Sequence, residues 1–298
     1  MTKLIVSTFC LLLLVSLSYE ASIALRGSSP KQEWVGLGDR LLHTFFSKTA
    51  MPLNMTSAKN STEWNTPINN GECVPGLGYG FLNNRIVVYY TKAGQLSGFG
   101  VQLHGTIDQK NAATFWKRVS ADIYQIEIAT RDSSFSCSGY TDTKGGVLGD
   151  RLIVAPNSEF PMTVPLTEDL AMRNNYTRGG CISGMGRHAG FDLVSNPHLS
   201  GYSFTLMPVI PMYHDGFVSA ILFFAHQSQE YWPVGQWEGP FIPYLFCKNF
   251  CSDNCMEKES GFSLFSTMHF LFHDPALNTC DNRCPNEGDL KIKYPLKK

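Results

Sequence analysis

Histidine is the residue type in this chain that most readily supports chemistry, because neutral imidazole binds metals and titrates near neutral pH. His104 and His226 each end a predicted apolar strand, at matching places in two similar segments. If a two-fold axis relates these segments, the two side chains converge on it. With His188, His214 or Asp274 nearby, they could then hold copper or zinc. The alternative is that both histidines are simply polar residues that end apolar strands.

A second histidine pair, His269 and His273, lies in the segment MHFLFHD. On a strand these two residues share one face but stand about 13 Å apart, which is too far to share one metal ion. On a helix they would lie one turn apart and could share it. The surrounding residues favour a strand, so this pair alone makes a poor metal site.

Two aspartates, Asp132 and Asp274, occur in corresponding places after predicted strands. Either could act as a general acid or base, and Asp274 could orient His273. The alternative is that each caps the turn at the end of a strand.

Two tryptophans, Trp232 and Trp237, lie in the aromatic segment YWPVGQWEGPF, which could line a ligand pocket or a partner interface. With His188, His269 and Asp274 they are the candidate pocket residues. Packing of at least one tryptophan in the core is the alternative.

The chain contains no established catalytic signature: it has no His-Glu-x-x-His, no Gly-x-Ser-x-Gly and no phosphate-binding loop. We therefore expect an extracellular binding or matrix module, whose ligand is a small apolar molecule or an extracellular protein. The alternative is a metal- or oxygen-dependent oxidoreductase with histidines between the two repeats. The net charge of −1 gives no reason to expect nucleic acid as a partner.

The first 18 residues predict a secretory signal peptide, which would make the mature protein secreted and extracellular. Lys3 precedes an apolar run over 4–17, and Ser16 and Ser18 are small residues suited to a cleavage site. This run is too short to span a bilayer comfortably. Later segments contain no apolar run of spanning length, so no membrane span is expected in the mature chain.

Three glycosylation sequons agree with secretion, at Asn54, Asn60 and Asn175. Short sequons arise often by chance, so their weight comes from the predicted signal peptide.

The cysteines are also typical of a secreted protein. Of the nine, Cys10 lies in the predicted signal peptide, which leaves an even number that reads as disulfides. We expect Cys73–Cys137 and Cys181–Cys280 to close two repeats, although the sequence leaves other pairings open. The remaining four would pair among themselves: Cys247, Cys251, Cys255 and Cys284.

Two similar β-hairpins, over 87–104 and 209–226, indicate an internal duplication. Asp-Gly at 215–216 supplies a tight turn, and Gly94 does so in the first hairpin. Aligning Gly94 with Gly216 places His104 on His226. The first hairpin's outgoing strand alternates like a half-buried strand, whereas the second is apolar on both faces and predicts a central strand.

The flanks of the two hairpins also correspond. Cys-x-x-Gly-x-Gly precedes each hairpin, at Cys73 and at Cys181, and Asp followed by Cys closes each copy. Prolines at 208 and 211 place the strand before the second turn at a sheet edge or at a bulge.

These patterns predict a mainly β, antiparallel fold with two internally duplicated β-rich repeats, a few short packed helices and disulfide staples. A strand is expected over 147–154, and helices over 33–51, 111–120 and near 167–172. The expected organisation is a signal peptide (1–18), an N-terminal helix and glycosylated linker (19–72, with the linker over 52–72), repeat 1 (73–137), a connecting segment (138–180), repeat 2 (181–284, with a Cys- and Trp-rich insertion over 227–261) and a polar tail (285–298).

Overall fold

The structure is a computed structural model, and it describes residues 36–43, 48–105, 115–159, 161–191, 209–226, 237–241 and 265–279. The predicted signal peptide, most of the 227–261 insertion and the polar tail fall outside these ranges.

The described residues form two antiparallel β-sheets, which confirms the predicted fold class. In chain order, the strands of the first sheet are β3 (Thr66–Pro67), β4 (Tyr79–Asn83), β5 (Ile86–Tyr90), β6 (Leu96–His104), β7 (Lys117–Arg118), β8 (Ile123–Ala129), β9 (Ile153–Val154) and β10 (Met162–Thr163). Those of the second sheet are β1 (Leu42–His43), β2 (Thr49–Ala50), β11 (Tyr176–Ile182), β12 (Gly186–Phe191), β13 (Val209–His214), β14 (Phe217–His226), β15 (Glu238–Phe241) and β16 (Phe265–Leu271).

The two sheets share one strand arrangement. The first runs β3-β4-β5-β6-β8-β9-β10, and the second runs β11-β12-β13-β14-β16-β1-β2. A short extra strand pairs with β8 in the first sheet (β7) and with β16 in the second (β15). The last two places of the first sheet are filled by β9 and β10, which follow β8 in the chain. Those of the second sheet are filled by β1 and β2, which are distant in sequence from β16.

The described helices are short. The α-helices are α1 (Met55–Asn60), α2 (Ser133–Ser136) and α3 (Glu168–Arg173), and the 3-10 helices are Asn69–Gly71 and Pro275–Leu277. The predicted helix near 167–172 is confirmed by α3, which Thr167 caps by accepting a hydrogen bond from the backbone N–H of Leu170.

The hydrophobic core lies between the two sheets. Phe99 of β6 packs on three phenylalanines of the second sheet or its exit, with ring centroids 6.2 Å from Phe223, 4.8 Å from Phe270 and 6.1 Å from Phe272. All four side chains are fully buried. Alternation along each strand places the intervening residues on the outward faces of the sandwich.

Both predicted hairpins are present, as β5–β6 and β13–β14. Asp215 and Gly216 have positive φ angles of 49° and 84°, as a tight hairpin turn requires. Strand β14 lies between β13 and β16, which confirms its predicted central position.

Strand β13 lies inside the sheet, so the edge alternative for this strand is wrong and the bulge alternative is right. Pro211 pairs with Ile221 of β14, while the described pairing of β13 with β12 involves only Met212 and Tyr213. The register shifts at Met212/Tyr213, beside the proline. Proline has no backbone N–H, but Pro211 has no described partner in β12. Its presence therefore removes none of the described hydrogen bonds between β13 and β12.

The half-buried prediction for β6 is wrong, because both of its faces are buried. Gly98 and Gly100 let β8 approach closely: a Cβ on either would lie 2.5 Å from a carbonyl oxygen of Ile128 or Ile126. The alternating glycines of β6 thus indicate close packing against β8, and not a face exposed to solvent.

The predicted helix over 33–51 is wrong in its described parts, which form β1 and β2 instead. Gly36 and Gly38 have φ angles of 70° and 144°, which a right-handed helix does not allow. The apolar spacing at Leu37 and Leu41 fits a helix, but both side chains are buried in the core between the sheets.

Two further local predictions are corrected. The part of the predicted 111–120 helix that is described contains β7, Lys117–Arg118, which pairs with β8. The predicted linker over 52–72 contains α1, which Asn54 caps through a 2.8 Å hydrogen bond from the backbone N–H of Ser57. Asn and Ser residues thus marked a helix start rather than an open loop.

The Cys73–Cys137 disulfide is confirmed, with its Cα atoms 6.0 Å apart. Cys181 is also disulfide-bonded, to a partner outside the described residues. The Cys181–Cys280 pairing therefore stays a prediction, as does the pairing of the other four cysteines: Cys247, Cys251, Cys255 and Cys284.

Replacing Gly78 with alanine should destabilise the protein by roughly 2–3 kcal/mol, from positive-φ strain and overpacking. Gly78 has a φ of 108°, and its added Cβ would lie 2.1 Å from the carbonyl oxygen of Tyr90. Urea unfolding measures the loss. Gly71→Ala is the matched control, since Gly71 has a φ of 78° with open space around it. Equal losses in the two variants would show that the close approach at Gly78 is absent.

Candidate functional site

A glutamate–histidine pair is buried on the outward face of the second sheet. Nδ1 of His269 contacts Oε2 of Glu238, and the hydroxyl of Thr267 donates to the same oxygen at 3.2 Å. The side chains of His269 and Glu238 are only 5% and 4% exposed. An ionisable pair this deep is costly to bury, so it is weak evidence for stability and a reason to look for function.

Strand pairing sets the position of these side chains. Glu238 of β15 lies opposite Thr267 of β16, and His269 lies opposite Leu222 of β14. Met268, which lies between Thr267 and His269, and Phe270, which follows His269, point into the core between the sheets. Alternation therefore places Thr267 and His269 together on the outward face.

The surroundings of this pair are apolar. A buried cluster on the same face contains Ile210, Met212, Leu222, Phe224 and Leu271. Hydrogen bonds and ionic contacts are stronger in such surroundings than in water, because little solvent screens them.

His188 of β12 belongs to the same outward face, since it lies opposite Met212. Its Nδ1 lies 3.3 Å from the carbonyl oxygen of Gly180. Burial, together with the nearby His269, lowers the pKa of His188 to about 3. His188 is therefore neutral near pH 7, and it lies close enough to His269 to interact with it electrostatically.

His43 of β1 is a third buried histidine near this carboxylate. Burial lowers its pKa to about 4, while the negative charge of Glu238 acts in the opposite direction. Within the described ranges its Nδ1 has no hydrogen-bond partner. Besides these two histidines, the ionisable side chains in direct contact here are those of Glu238 and His269.

The contact between Glu238 and His269 has a defined chemical use. A carboxylate that accepts the Nδ1 proton of a histidine fixes the ring orientation and stabilises the protonated imidazole. Such a pair can hold a polar group of a bound molecule, or transfer a proton to or from it.

The first sheet has a different polar cluster at the corresponding place. Glu127 accepts hydrogen bonds from the hydroxyl of Tyr89 and, at 2.6 Å, from the side-chain amide of Gln125. Gln125 in turn accepts one from Gln102 at 2.8 Å. These side chains satisfy one another, so this cluster is explained by structure alone.

The other described pocket candidates, Trp237 and Asp274, lie in different places. Trp237 is buried in the core between the sheets, and Trp232 lies outside the described residues. Asp274 caps the 3-10 helix by accepting from the backbone N–H of Ala276 at 3.0 Å and lies 3.7 Å from Arg40. Of the four candidates that lie among the described residues, the structure brings together His188 and His269.

Asp132 has the same capping role as Asp274. It accepts a hydrogen bond from the backbone N–H of Ser134 at 3.0 Å and pairs with Arg151. The backbone N–H bond lowers the pKa of Asp132 below its ordinary value. For both aspartates the capping alternative accounts for the described backbone contact, and each also pairs with an arginine.

The predicted histidine metal site is only partly described and stays a prediction. His104 pairs through Nε2 with Asp122 and is one-third exposed. Its neighbour Leu103 faces the core between the sheets, so His104 points away from the second sheet, where His226 ends β14. The side chain of His226 is outside the described part. Among described residues, no three His, Cys, Asp or Glu side chains could hold a metal ion.

Acidification should weaken the fold through its buried histidines. The pKa is lowered to about 4 in His43, about 3 in His188 and about 4 in His273, chiefly by burial. The unfolded chain takes up protons near pH 6.5, which the folded chain resists, so protonation favours unfolding. We expect each to cost roughly 1–2 kcal/mol of stability between pH 7 and pH 5.

Urea unfolding at several pH values tests this expectation, with His188→Gln as the comparison. The variant lacks one buried histidine and should lose less stability on acidification than the unmodified protein. Parallel pH curves for the two proteins would contradict a neutral, buried His188.

Comparisons with protein families, curated proteins and solved structures found no match. In the part of the chain that the structure describes, no helix has the length and apolarity needed to cross a membrane.

Glu238 is the site residue that the sequence analysis missed. It lies directly after Trp237 in an otherwise uncharged stretch, Trp-Glu-Gly-Pro-Phe. A single carboxylate among apolar residues is a signal for a buried, partnered charge. Its partner, His269, lies 31 positions away in sequence, so the pairing itself was not visible.

Proposed function

We propose that this protein is a secreted, disulfide-bonded extracellular binding protein whose ligand is anchored at Glu238 and His269. The observation that carries the proposal is this buried pair within an apolar face. The Cys73–Cys137 disulfide supports an oxidising compartment.

A comparison of the two sheets supports a functional role for the pair. Gly98 of β6 lies opposite Ala129, as Ala220 of β14 lies opposite Leu271. By this register Glu127 takes the place of His269, and Lys117 takes the place of Glu238. Both sheets thus have the same strand arrangement, although the first has Lys117 and Glu127 where the second has Glu238 and His269. The fold itself therefore does not require the Glu238–His269 pair.

The surroundings define the class of ligand. His43 and His188 are neutral near pH 7, and the carboxylate of Glu238 and the imidazole of His269 are already paired with each other. The site therefore suits an uncharged, largely apolar molecule with one hydrogen-bonding group, which the pair would recognise.

Native mass spectrometry of the protein from a secreting cell tests this function. We expect a bound organic molecule of defined mass, and Glu238→Gln should reduce its affinity at least about tenfold by weakening a charge-assisted hydrogen bond. Glu127→Gln is the matched control on the first sheet and should retain the ligand. Urea unfolding of both variants separates ligand loss from misfolding.

Two results would contradict the proposal. One is a folded, secreted protein that carries no organic molecule and takes up none from an extract of extracellular fluid. The other is a bound molecule that Glu238→Gln leaves in place.

The same material tests secretion and glycosylation. Asn54, Asn60 and Asn175 are all exposed, so each sequon can be reached by the glycosylation machinery. We expect protein in the medium that begins near residue 19 and loses mass on enzymatic deglycosylation. Retention inside the cell with an intact N-terminus would contradict secretion.

A further inference from the structure

The pentapeptide Leu-Gly-Asp-Arg-Leu occurs twice, at 37–41 and at 148–152. Both copies have the same backbone. Gly38 and Gly149 have positive φ angles of 144° and 109°, and a Cβ on either would lie within 2.2 Å of a backbone carbonyl oxygen. The repeated sequence therefore folds into a repeated structure.

The arginine of each pentapeptide makes the same two ion pairs. Arg40 contacts its neighbour Asp39 at 3.1 Å and Asp274 at 3.7 Å. In the second pentapeptide, Arg151 contacts Asp150 at 2.9 Å and Asp132 at 2.9 Å.

The residues after each pentapeptide also match. The backbone N–H of Met51 donates to Leu41 at 2.9 Å, and that of Val164 donates to Leu152 at 2.8 Å. A proline follows in each case, and its carbonyl accepts a tyrosine hydroxyl at 2.7 Å. These pairs are Pro52 with Tyr90, and Pro165 with Tyr213.

The hairpins carry a third set of matching contacts. The hydroxyl of Ser97 donates to the carbonyl of Leu77, and that of Ser219 donates to Met185. The backbone N–H groups of Thr130 and Phe272 donate to these same two serines' carbonyl oxygens, each at 2.9 Å. The correspondence thus runs from the pentapeptides at 37 and 148 to the aspartates at 132 and 274.

Each copy's first strand pair lies in the sheet of the other copy. The pentapeptide at 37–41 leads into β1 and β2, which extend the second sheet beyond β16. The pentapeptide at 148–152 leads into β9 and β10, which extend the first sheet beyond β8. Arg40 and Arg151 accordingly reach aspartates of the opposite copy.

We infer that the protein is a strand-exchanged dimer fused into one chain, with copies over 37–137 and 148–280. The interaction surfaces are the edges of β8 and β16, and the partner that each fits is the first strand pair of the other copy. Two identical subunits that swap an identical element generate this reciprocal pattern. Each half therefore completes the other's sheet, and neither is a complete unit alone.

A two-chain form of the protein tests the inference. Residues 138–141 are exposed and join the two copies, so a protease site inserted after Gly139 allows the folded chain to be cut there. Cys73 and Cys137 pair with each other, so after signal removal no native disulfide can join the fragments. We expect the cut protein to elute as one particle and to separate only on denaturation.

Engineered disulfides distinguish strand exchange from ordinary packing of two halves. Ala129 of β8 lies opposite Ile153 of β9 in the exchanged arrangement. Ala129→Cys with Ile153→Cys should therefore link the two fragments, because paired residues on adjacent strands are within disulfide reach. Ala129→Cys with Leu42→Cys is the matched control, since Leu42 would occupy that place if each copy kept its own strands.

The expected result is a 129–153 crosslink that keeps the cut chain whole on a denaturing, non-reducing gel. A 42–129 crosslink would lie within the N-terminal fragment, so its expected absence is read from the masses of non-reduced peptides. A 42–129 crosslink without the 129–153 one would overturn the inference. Separation of the cut, unmodified fragments under native conditions would overturn it as well.

Discussion

Replacing Arg131 with alanine is expected to destabilise the folded protein by roughly 3–5 kcal/mol, the usual cost of breaking a buried ion pair. The guanidinium is 1% exposed and faces Asp142 at 3.3 Å, itself 4% exposed. It donates to the carbonyl of Leu96 at 2.7 Å, and to those of Lys144 and Val147 at 3.0 Å each. Alanine leaves the Asp142 carboxylate buried without its counter-charge and several carbonyls without a donor.

Urea unfolding at pH 7 measures this loss, and Arg151→Ala is the control. The side chain of Arg151 is 34% exposed and also pairs with an aspartate, Asp132. Exposed pairs contribute little, so the control should lose about 1 kcal/mol or less. Similar losses in the two variants would show that Arg131 does not hold the 142–147 segment. Arg131→Met with Asp142→Asn should recover part of the loss, because it removes the stranded charge.

Replacing Phe99 with alanine should have an effect of similar size, roughly 3–5 kcal/mol, since it opens a cavity in the core. Phe99 is the aromatic residue of the first sheet that contacts Phe223, Phe270 and Phe272. Its loss removes burial and also one partner of an aromatic cluster, which carries energy beyond its area.

Thermal and urea unfolding should show this loss as one cooperative transition at lower midpoint. Phe217→Ala is the control, because Phe217 is 45% exposed at the start of β14 and should change stability by only about 0.5 kcal/mol. If Phe99→Ala behaved like the control, the two sheets would not pack through this cluster.

The two hairpins were predictable because their signals are local. Asp215 and Gly216 meet the positive-φ requirement of the turn, and the flanking residues have strand composition. The Cys73–Cys137 pairing was also predictable, once the Cys-x-x-Gly-x-Gly and Asp-then-Cys flanks had been matched.

The N-terminal strands were not predicted, because their partners are remote. Leu37 and Leu41 fit a helical period as well as a buried turn and strand, and short apolar segments do not distinguish the two. The pairing of β1 with β16 joins residues near 42 to residues near 271. The repeated Leu-Gly-Asp-Arg-Leu indicates that residues 37–41 and 148–152 share one local structure. Gly38 within it argues against a helix.

Half of the candidate site was predicted from residue types. His188 and His269 were singled out as possible pocket residues, and both lie on the outward face of the second sheet. Glu238 was not singled out, because its role depends on its contact with His269, which is remote in sequence. His104 was singled out for its place in the repeat, and its described contact is a surface pair with Asp122.

The sequence by itself determined the antiparallel class, the two hairpins, the first disulfide and the existence of a repeat, because turn chemistry and strand alternation act over a few residues. Only the tertiary structure decided which strands complete which sheet, and that His269 meets Glu238. Those contacts join segments tens to hundreds of positions apart, and they form only when burial of the shared core offsets the entropy of closing the chain. His104 and His226, alike in sequence position, thus end strands of different sheets.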